Sequence, residues 1–165
     1  MKIGIISDIH GNSPALEAVL PGLLAETDQV LFLGDLCGYY PFVDECVMLW
    51  DQDRILGVLG NHDQVLLESL DKRIDPSANY QTKYGTSLNR DRQTLSPSSL
   101  SLLQGLPTSL NLDFDGVTLA LYHGAPWDHL EGRVYPDFGD WERFNEVAAD
   151  IILMGHTHYS FTKVH

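Results

Sequence analysis

Val30-Leu31-Phe32-Leu33-Gly34-Asp35 is a short apolar run that ends in a glycine and a carboxylate. An uninterrupted apolar run of this length predicts a strand that is buried on both faces. A lone carboxylate at the end of a buried strand is unfavourable, because burying an unpaired charge costs several kcal/mol. Asp35 therefore requires a partner. Gly34 gives the chain room to turn sharply and lets backbone or a ligand approach closely.

The same pattern, an apolar run followed by Asp, Asn or His, occurs at four other places in the chain. These are residues 2–7 before Asp8 and His10, 55–59 before Asn61, His62 and Asp63, 117–122 before His123, and 151–154 before His156 and His158. Five of the seven histidines lie at these strand ends. Open α/β sheets bind ligands beyond the carboxyl ends of their strands, so the set predicts a metal centre at that edge.

The length of 165 residues suffices for one compact domain and is short for two, so we expect a single domain over residues 1–165. No apolar run approaches the ~20 residues needed to cross a bilayer. The chain starts directly in a predicted strand, without a basic and then apolar leader. We therefore expect a cytoplasmic protein without membrane association, in which Cys37 and Cys46 are free, reduced thiols.

The formal net charge of −13 argues against stable binding to nucleic acid, which requires clustered Lys and Arg. Five of the ten basic residues nevertheless lie within residues 71–95, a polar stretch that we predict to be irregular. One interpretation is a cap insert that covers the metal site and supplies positive charge to a phosphate. The other is a solvated loop, and the sequence leaves both open.

Strand and helix patterns alternate over the first hundred residues, which predicts a parallel sheet with right-handed crossovers. Asn12 or Ser13 caps the first helix, and Pro21 is expected to kink or shorten it. Asp115-Gly116 lies between two apolar strands and is a strong hairpin signal. The hairpin is expected to begin a second sheet that packs on the first, and residues 159–164 are predicted to add a strand.

Five motifs, in their order along the chain, resemble those of the calcineurin-like metallophosphoesterases, and most closely the small bacterial phosphoesterases of that superfamily. They are Asp8-x-His10, Gly34-Asp35-x-x-Gly38, Gly60-Asn61-His62-Asp63, His123-Gly124 and Gly155-His156-Thr157-His158. The resemblance extends from Met1 to about Tyr159. It implies an α/β fold in which two packed mixed β-sheets are flanked by helices, an αββα sandwich. Chains of this family continue through further strands, so it also implies missing C-terminal strands and a free strand edge that favours homo-oligomers.

The same resemblance implies a pair of divalent metal ions with one shared ligand. The first ion would be held by Asp8, His10, Asp35 and His158, and the second by Asp35, Asn61, His123 and His156. Mixed oxygen and nitrogen ligands suit Mn²⁺, Fe²⁺, Zn²⁺ or Ni²⁺ and argue against Ca²⁺. Manganese is the favoured ion, with iron, zinc, nickel and magnesium as alternatives.

The implied activity is hydrolysis of a phosphodiester or phosphomonoester by a metal-activated hydroxide. His62 would be the general acid and Asp63 would hold its ring; the alternatives are a structural His62 and an Asp63 that caps a helix. The substrate would be a small-molecule phosphoester, with a nucleotide as one example. The alternative function is a non-catalytic metal-binding scaffold for protein interactions. A scaffold would be expected to lack His62 or some ligands, and none is missing here.

Five further side chains follow the strand ends closely. They line a substrate pocket or pack elsewhere, and the sequence favours neither for Tyr39, Tyr40, Trp127, Asp128 and His129.

Overall fold

A computed structural model describes residues 1–70 and 77–164. In chain order the elements are β1 (Ile3–Ile6), α1 (Ser13–Glu26), β2 (Gln29–Phe32), α2 (Val43–Met48), β3 (Ile55–Gly57), α3 (Asn61–Leu70), α4 (Ser77–Tyr84), α5 (Ser87–Thr94), α6 (Pro97–Gly105), β4 (Ser109–Phe114), β5 (Val117–Tyr122), a 3₁₀ helix (Trp141–Glu146) and β6 (Ile151–Met154).

The first sheet has the order β1-β2-β3 and is parallel throughout. The second has the order β4-β5-β6, with an antiparallel hairpin followed by a parallel pair. The α/β class, the parallel start and the hairpin are confirmed, although only the second sheet is mixed.

The two sheets pack against each other through branched apolar side chains. The buried residues between them are Leu31, Leu33, Val58, Leu119 and Leu121. On the other face of the first sheet, Val30 and Phe32 are fully buried beneath the helices. Full burial of such side chains stabilises the fold by about 1.5–3 kcal/mol each. Strand β2 therefore lies at the centre of the molecule, as its apolar run predicts, and holds Asp35 in the interior.

Strands β1 and β6 each pair with a single neighbouring strand within the described part of the chain. Ile5 on β1 and Ile151 on β6 are 50% and 45% exposed. The expectation that all five strands are buried on both faces is therefore wrong for these two edge strands. Residues 159–164 form no strand, which corrects a further prediction.

Helix α1 begins as predicted, because the side chain of Asn12 accepts a hydrogen bond from the N–H of Ala15 at 3.2 Å. The helix continues through Pro21 to Glu26, so the predicted early end is wrong. Leu16 and Leu20 are buried against the sheet. Their packing outweighs the one backbone hydrogen bond that a proline cannot form.

The polar stretch predicted to be irregular forms helices α4 and α5 from residue 77 to residue 94. Residues 71–76, which belong to the same prediction, lie outside the described residues. Two apolar anchors, Tyr80 and Leu88, are buried in the main core and hold these helices against the rest of the fold. Since the remaining residues are polar, the periodicity of the stretch is too weak to reveal a helix.

Cys37 and Cys46 are buried free thiols, as expected. Among the residues that the structure describes, no helix combines the length and apolar character required to span a bilayer.

Candidate metal centre

Backbone hydrogen bonds join the loops that follow the strands. After β1 and β2, Asp8 donates its N–H to the carbonyl of Gly34, and His10 donates to the carbonyl of Asp35, each at 2.9 Å. The loops after β5 and β6 are joined in the same way by a bond of 2.9 Å. The two pairs of loops are linked by the N–H of His156, which donates to Oδ2 of Asp8 at 3.2 Å. The carboxyl ends of β1, β2, β5 and β6 therefore meet at one edge, where ligands of such folds bind.

One group of side chains lies around His158. Its Nε2 is 3.2 Å from Oδ1 of Asp8 and 3.4 Å from Nε2 of His10. Nε2 of His10 is in turn 3.7 Å from Oδ2 of Asp35. The structure thus brings together the four residues expected to hold the first ion.

A second group lies around His123, whose side chain is completely buried. Nε2 of His123 is 3.3 Å from Oδ2 of Asp35, 3.1 Å from Oδ1 of Asn61 and 3.2 Å from Nδ1 of His156. These are the four residues expected to hold the second ion. Oδ1 of Asp35 accepts the N–H of His62 at 2.9 Å, which leaves Oδ2 facing both groups. Asp35 clusters with His123 and His156 and also with His10 and His62, and His10 in turn clusters with Asp8 and His158.

The backbone of these loops is strained at the same positions. Among the described residues other than glycine, a positive φ between 52° and 67° occurs at Asp8, His10, Asp35, His156 and His158, and also at Asp115 in the hairpin turn. Residues other than glycine rarely adopt this backbone conformation, and such strain concentrates at functional sites. The fold holds the five side chains of the site in directions that relaxed turns would not provide.

Close packing around Asp35 also requires glycine at two positions. A Cβ atom on Gly60 would collide with Oδ1 of Asp35. A Cβ atom on Gly34, where φ is +94°, would lie 2.7 Å from Nδ1 of His123. The need for room at Gly34, predicted from the sequence, therefore arises from the histidine that packs beside it.

The donor set fits divalent metal ions. Nε2 of His156 is buried and forms no hydrogen bond with any described residue. Oδ1 of Asp8 is also buried and accepts no hydrogen bond, although Nε2 of His158 lies 3.2 Å away. Buried polar atoms are normally hydrogen-bonded, so the unpaired imidazole nitrogen of His156 points to a missing partner. A carboxylate oxygen and an imidazole nitrogen that approach without a hydrogen bond, as Asp8 and His158 do, are consistent with an ion between them. Carboxylate, amide and imidazole donors together suit a transition-metal ion.

The electrostatics of the site centre on Asp35 and His123. Burial opposes ionisation of Asp35, but the hydrogen bond and charge of His123, with His62 and His10, hold the pKa of Asp35 below its ordinary value. Burial likewise opposes the charged form of His123, yet the hydrogen bond and charge of Asp35 raise the pKa of His123 to about 8. Burial, followed by the charge of His123, lowers the pKa of His156 to about 4. In the absence of metal, these effects favour an ionised Asp35 beside a protonated His123.

His62 lies in the pocket beside the predicted ligands and is 5% exposed. Burial lowers the pKa of His62 to about 4, which disfavours the protonated ring that a general acid requires. Its Nδ1 forms a short hydrogen bond with the hydroxyl of Tyr80 on α4. The expectation that Asp63 holds this ring is wrong, because both carboxylate oxygens of Asp63 are occupied by other donors.

The carboxylate of Asp63 binds backbone N–H groups. Oδ1 accepts from Cys37 at 2.8 Å, and Oδ2 accepts from Gly60 at 3.0 Å and from Leu36 at 3.2 Å. Gly60 directly precedes α3, so Asp63 caps the helix from its third position rather than as the N-cap residue. The same bonds tie the loop after β2 to the loop after β3. Burial and the charge of Asp35 raise the pKa of Asp63 to about 6.

The two groups open into a cavity of about 250 Å³. Tyr39, Tyr84 and Arg133 line it together with His62 and five of the predicted ligands, which are His10, Asp35, Asn61, His156 and His158. Of the five side chains left open by the sequence, Tyr39 is the one that lines this cavity. Trp127 lines a different cavity, and the ring of His129 packs on Tyr122.

Sequence reasoning missed Tyr80, Tyr84, Glu131 and Arg133. Glu131 accepts a hydrogen bond of 3.2 Å from Nδ2 of Asn61, which turns the amide oxygen of Asn61 toward His123. All four residues lie far along the chain from the strand ends. A tyrosine pair one helical turn apart, Tyr80 and Tyr84, is the one signal that could have indicated an aromatic face.

Of the basic stretch, the structure describes residue 77 onward, so Lys72 and Arg73 lie outside the described residues. The guanidinium of Arg90 donates hydrogen bonds of 2.8 Å to the carbonyls of Gly38 and Tyr40 and pairs with Asp91. Arg90 therefore ties α5 to the loop after β2. The cap lies over the site, as one interpretation proposed, but the groups that it brings to His62 are the aromatic rings of Tyr80 and Tyr84.

Metal affinity is expected to rise with pH between about 6 and about 8. The raised pKa of His123 means that its imidazole carries a proton in the metal-free chain below about pH 8. A metal must displace this proton, so affinity falls as the pH falls and levels off above the pKa of His123. Calorimetric titration with Mn²⁺ in buffers of different ionisation enthalpy would count the protons released. An affinity independent of pH over this range, without proton release, would contradict the expectation.

Comparisons with known proteins agree with this geometry. The family model of the calcineurin-like phosphoesterase superfamily domain matches residues 1–165. The uncharacterized protein MJ0912 of Methanocaldococcus jannaschii is 34% identical over 168 residues, which is 96% of this chain and 63% of that protein. The crystal structure of a metallophosphoesterase from Sphaerobacter thermophilus has a TM-score of 0.74 at 31% identity, over 96% of this chain and 61% of the other. The hypothetical protein PH1004 of Pyrococcus horikoshii has a TM-score of 0.72 at 20% identity, over 93% and 68%, and so shares the fold.

The chain spans about three fifths of the length of the first two of these proteins. The family match nevertheless covers the chain from its first residue to its last and includes all five motifs. The resemblance drawn from those motifs, and the two-sheet fold that it implies, are therefore confirmed. The chain belongs to the calcineurin-like phosphoesterase superfamily.

Proposed function

We propose that the chain is a binuclear metal-dependent phosphoesterase that hydrolyses a phosphodiester or a phosphomonoester. The observation that supports this most strongly is the position of Asp35, which lies between His10 of the first group and His123 of the second. Nε2 of His156 is in addition buried without a hydrogen-bond partner among the described residues. Two separate structural sites would not require a carboxylate common to both. A shared carboxylate is the arrangement that holds two ions close enough to act on one phosphate.

The proposed ligands follow the two groups. Asp8, His10, Asp35 and His158 would hold the first ion, and Asp35, Asn61, His123 and His156 the second. When bound, the two ions would polarise the phosphoryl oxygens and lower the pKa of a water molecule. The donor set suits Mn²⁺ best in our proposal, with Fe²⁺, Zn²⁺, Ni²⁺ or Mg²⁺ as alternatives.

His62 is the proposed general acid. Its backbone N–H is fixed on Oδ1 of Asp35, so the ring stays close to the shared ligand. With Nδ1 bound to Tyr80, Nε2 is the nitrogen that faces the substrate. From it the protonated ring would give a proton to the leaving oxygen, and the neutral ring would donate a hydrogen bond to a phosphoryl oxygen. Asp63 contributes indirectly by fixing the loops that carry Asp35 and His62.

The remaining lining residues suit an anionic substrate with a planar group. Arg133 lies in the wall of the cavity, and its guanidinium approaches Glu131 only to 3.8 Å, so it is able to pair with a phosphate. Tyr39 and Tyr84 present aromatic surface on the side of His62. A nucleotide would satisfy both features through its phosphate and its base.

The proposal is tested by assaying the purified chain on bis-p-nitrophenyl phosphate and on p-nitrophenyl phosphate. Hydrolysis is expected only after addition of Mn²⁺ or another of the proposed ions, and is expected to be lost with a chelator. A parallel calorimetric titration would count bound metal. Metal binding without turnover of either ester, with any of the five ions, would contradict the proposal and favour a metal-binding scaffold.

A further inference from the structure

Glu131 contacts a proposed metal ligand, although it belongs to none of the five motifs. Its Oε1 accepts a hydrogen bond of 3.2 Å from Nδ2 of Asn61. At the other end of the same amide, Oδ1 of Asn61 lies 3.1 Å from Nε2 of His123. Asn61 is 5% exposed, so solvent has little access to its side chain. The amide of Asn61 is therefore held between Glu131 and the second ligand group.

The loop that carries Glu131 is closed on itself by hydrogen bonds. Ala125 and Asp128 exchange two backbone bonds, of 2.8 and 2.9 Å, in a turn that begins two residues after His123. Asp128 then accepts the N–H of Glu131 on its Oδ1 and the N–H of Gly132 on its carbonyl, each at 3.1 Å. The backbone of Glu131 is therefore fixed relative to the ligand His123, from which the loop starts.

The two ends of an asparagine amide differ in what they are able to bind. The oxygen is a metal ligand and an acceptor, whereas the NH₂ group is a donor and has no lone pair to offer to a cation. A carboxylate only accepts hydrogen bonds, so Glu131 selects the orientation in which Asn61 turns its NH₂ group toward it. The reversed amide would set oxygen against oxygen at Glu131 and would turn a donor toward the metal.

We infer that Glu131 is a positioning residue, which holds the amide of Asn61 so that its oxygen faces the ion of the second group. This role rests on the proposed function, because it requires that ion. Partners that hold a metal ligand in place commonly change metal affinity by about 10- to 100-fold. The side chain of Glu131 is 53% exposed, so we expect an effect at the lower end of this range.

Two substitutions separate the hydrogen bond from the charge. Glu131→Met removes the carboxylate and keeps most of the side-chain length, whereas Glu131→Gln keeps one acceptor oxygen without the charge. Calorimetric titration with Mn²⁺ is expected to show that the second ion binds about tenfold more weakly in Glu131→Met and about threefold more weakly in Glu131→Gln. The affinity of the first ion should not change. An unchanged affinity for the second ion in Glu131→Met, or equal weakening in both variants, would overturn the inference.

Two further variants complete the titrations. His156→Ala identifies the second ion, because His156 belongs to that group and not to the first. Glu142→Met is the matched control, since Glu142 is an exposed carboxylate on the 3₁₀ helix and does not line the cavity of the site. That variant should bind both ions as the parent chain does.

Asn61→Asp provides the decisive background, because both ends of its side chain are oxygens. In that background Glu131→Met should weaken binding of the second ion by less than about twofold, since no amide remains to be oriented. The same tenfold weakening there would show that Glu131 acts on the ion through its charge, and would overturn the inference.

The side-chain ¹H–¹⁵N signals of Asn61 give a readout in the metal-free chain, and Asn61→Asp identifies them. Glu131→Met is expected to shift these signals and to speed exchange of the NH₂ protons with solvent; unchanged signals would contradict the inference. A parent chain that binds two ions but hydrolyses neither ester refutes the proposed function alone, and the titrations still decide the role of Glu131. Metal binding that His156→Ala does not alter would refute the second site, and the role of Glu131 with it.

Discussion

His62→Ala is expected to lower kcat by about two to four orders of magnitude while two equivalents of metal remain bound. This is the usual contribution of a general acid that protonates a leaving oxygen. The ring of His62 faces the cavity, yet its Nδ1 is bound to Tyr80 and its backbone N–H to Asp35. Alanine keeps the backbone bond, so the shared carboxylate should not move. Steady-state assays with a poor leaving group, together with metal analysis, check both parts of the expectation.

His129→Ala is the matched control for that experiment. His129 packs on Tyr122 outside the cavity and belongs to neither ligand group. Its replacement is expected to leave kcat and metal content as in the parent chain. Loss of one metal equivalent in His62→Ala would show that His62 is a ligand. This outcome has to be measured because His62 lies close to His10 and Asp35.

The sequence was sufficient to predict which strand ends lie close together in the fold. Burial of the run before Asp35 is evident from its composition, and the carboxyl ends of parallel strands must lie at one edge. His156 and His158 follow β6 two residues apart, and the structure places them in different groups, as predicted. These features depend on short stretches in which apolar residues meet a ligand type, so a local pattern is informative.

The contacts made across the site could not be predicted in the same way. The bond of Tyr80 to His62 depends on how α4 packs, and α4 lies in a stretch with only two buried apolar anchors. The carboxylate of Asp63 satisfies three backbone N–H groups from two loops, a preference that follows from loop geometry rather than from residue type. Exposure of Ile5 and Ile151 likewise depends on what lies beside the edge strands. Each case is decided by tertiary packing, which local periodicity does not contain.

Asp35→Asn is expected to abolish binding of both metal ions and to reduce hydrolysis below detection. Oδ1 of Asp35 accepts the N–H of His62, whereas Oδ2 faces His10 and His123. An asparagine would use its oxygen for the N–H of His62 and would turn its amide NH₂, a donor, toward the ions. The site would lose both its shared ligand and the negative charge between the two groups. Metal analysis at concentrations that saturate the parent chain should show less than about one equivalent.

The same substitution has a consequence in the metal-free chain that separates a lost ligand from a damaged fold. Asp35 is the group that raises the pKa of His123 to about 8 against the effect of burial. Without it burial dominates, so the pKa of His123 should fall below its ordinary value in an NMR titration. Asp115→Asn is the matched control, because Asp115 has a similar positive φ in the hairpin turn, far from the site. The Asp115→Asn variant should keep both metal ions. If Asp35→Asn also retained two full equivalents, Asp35 would not bridge the ions. The binuclear mechanism would then lose the shared carboxylate on which it depends.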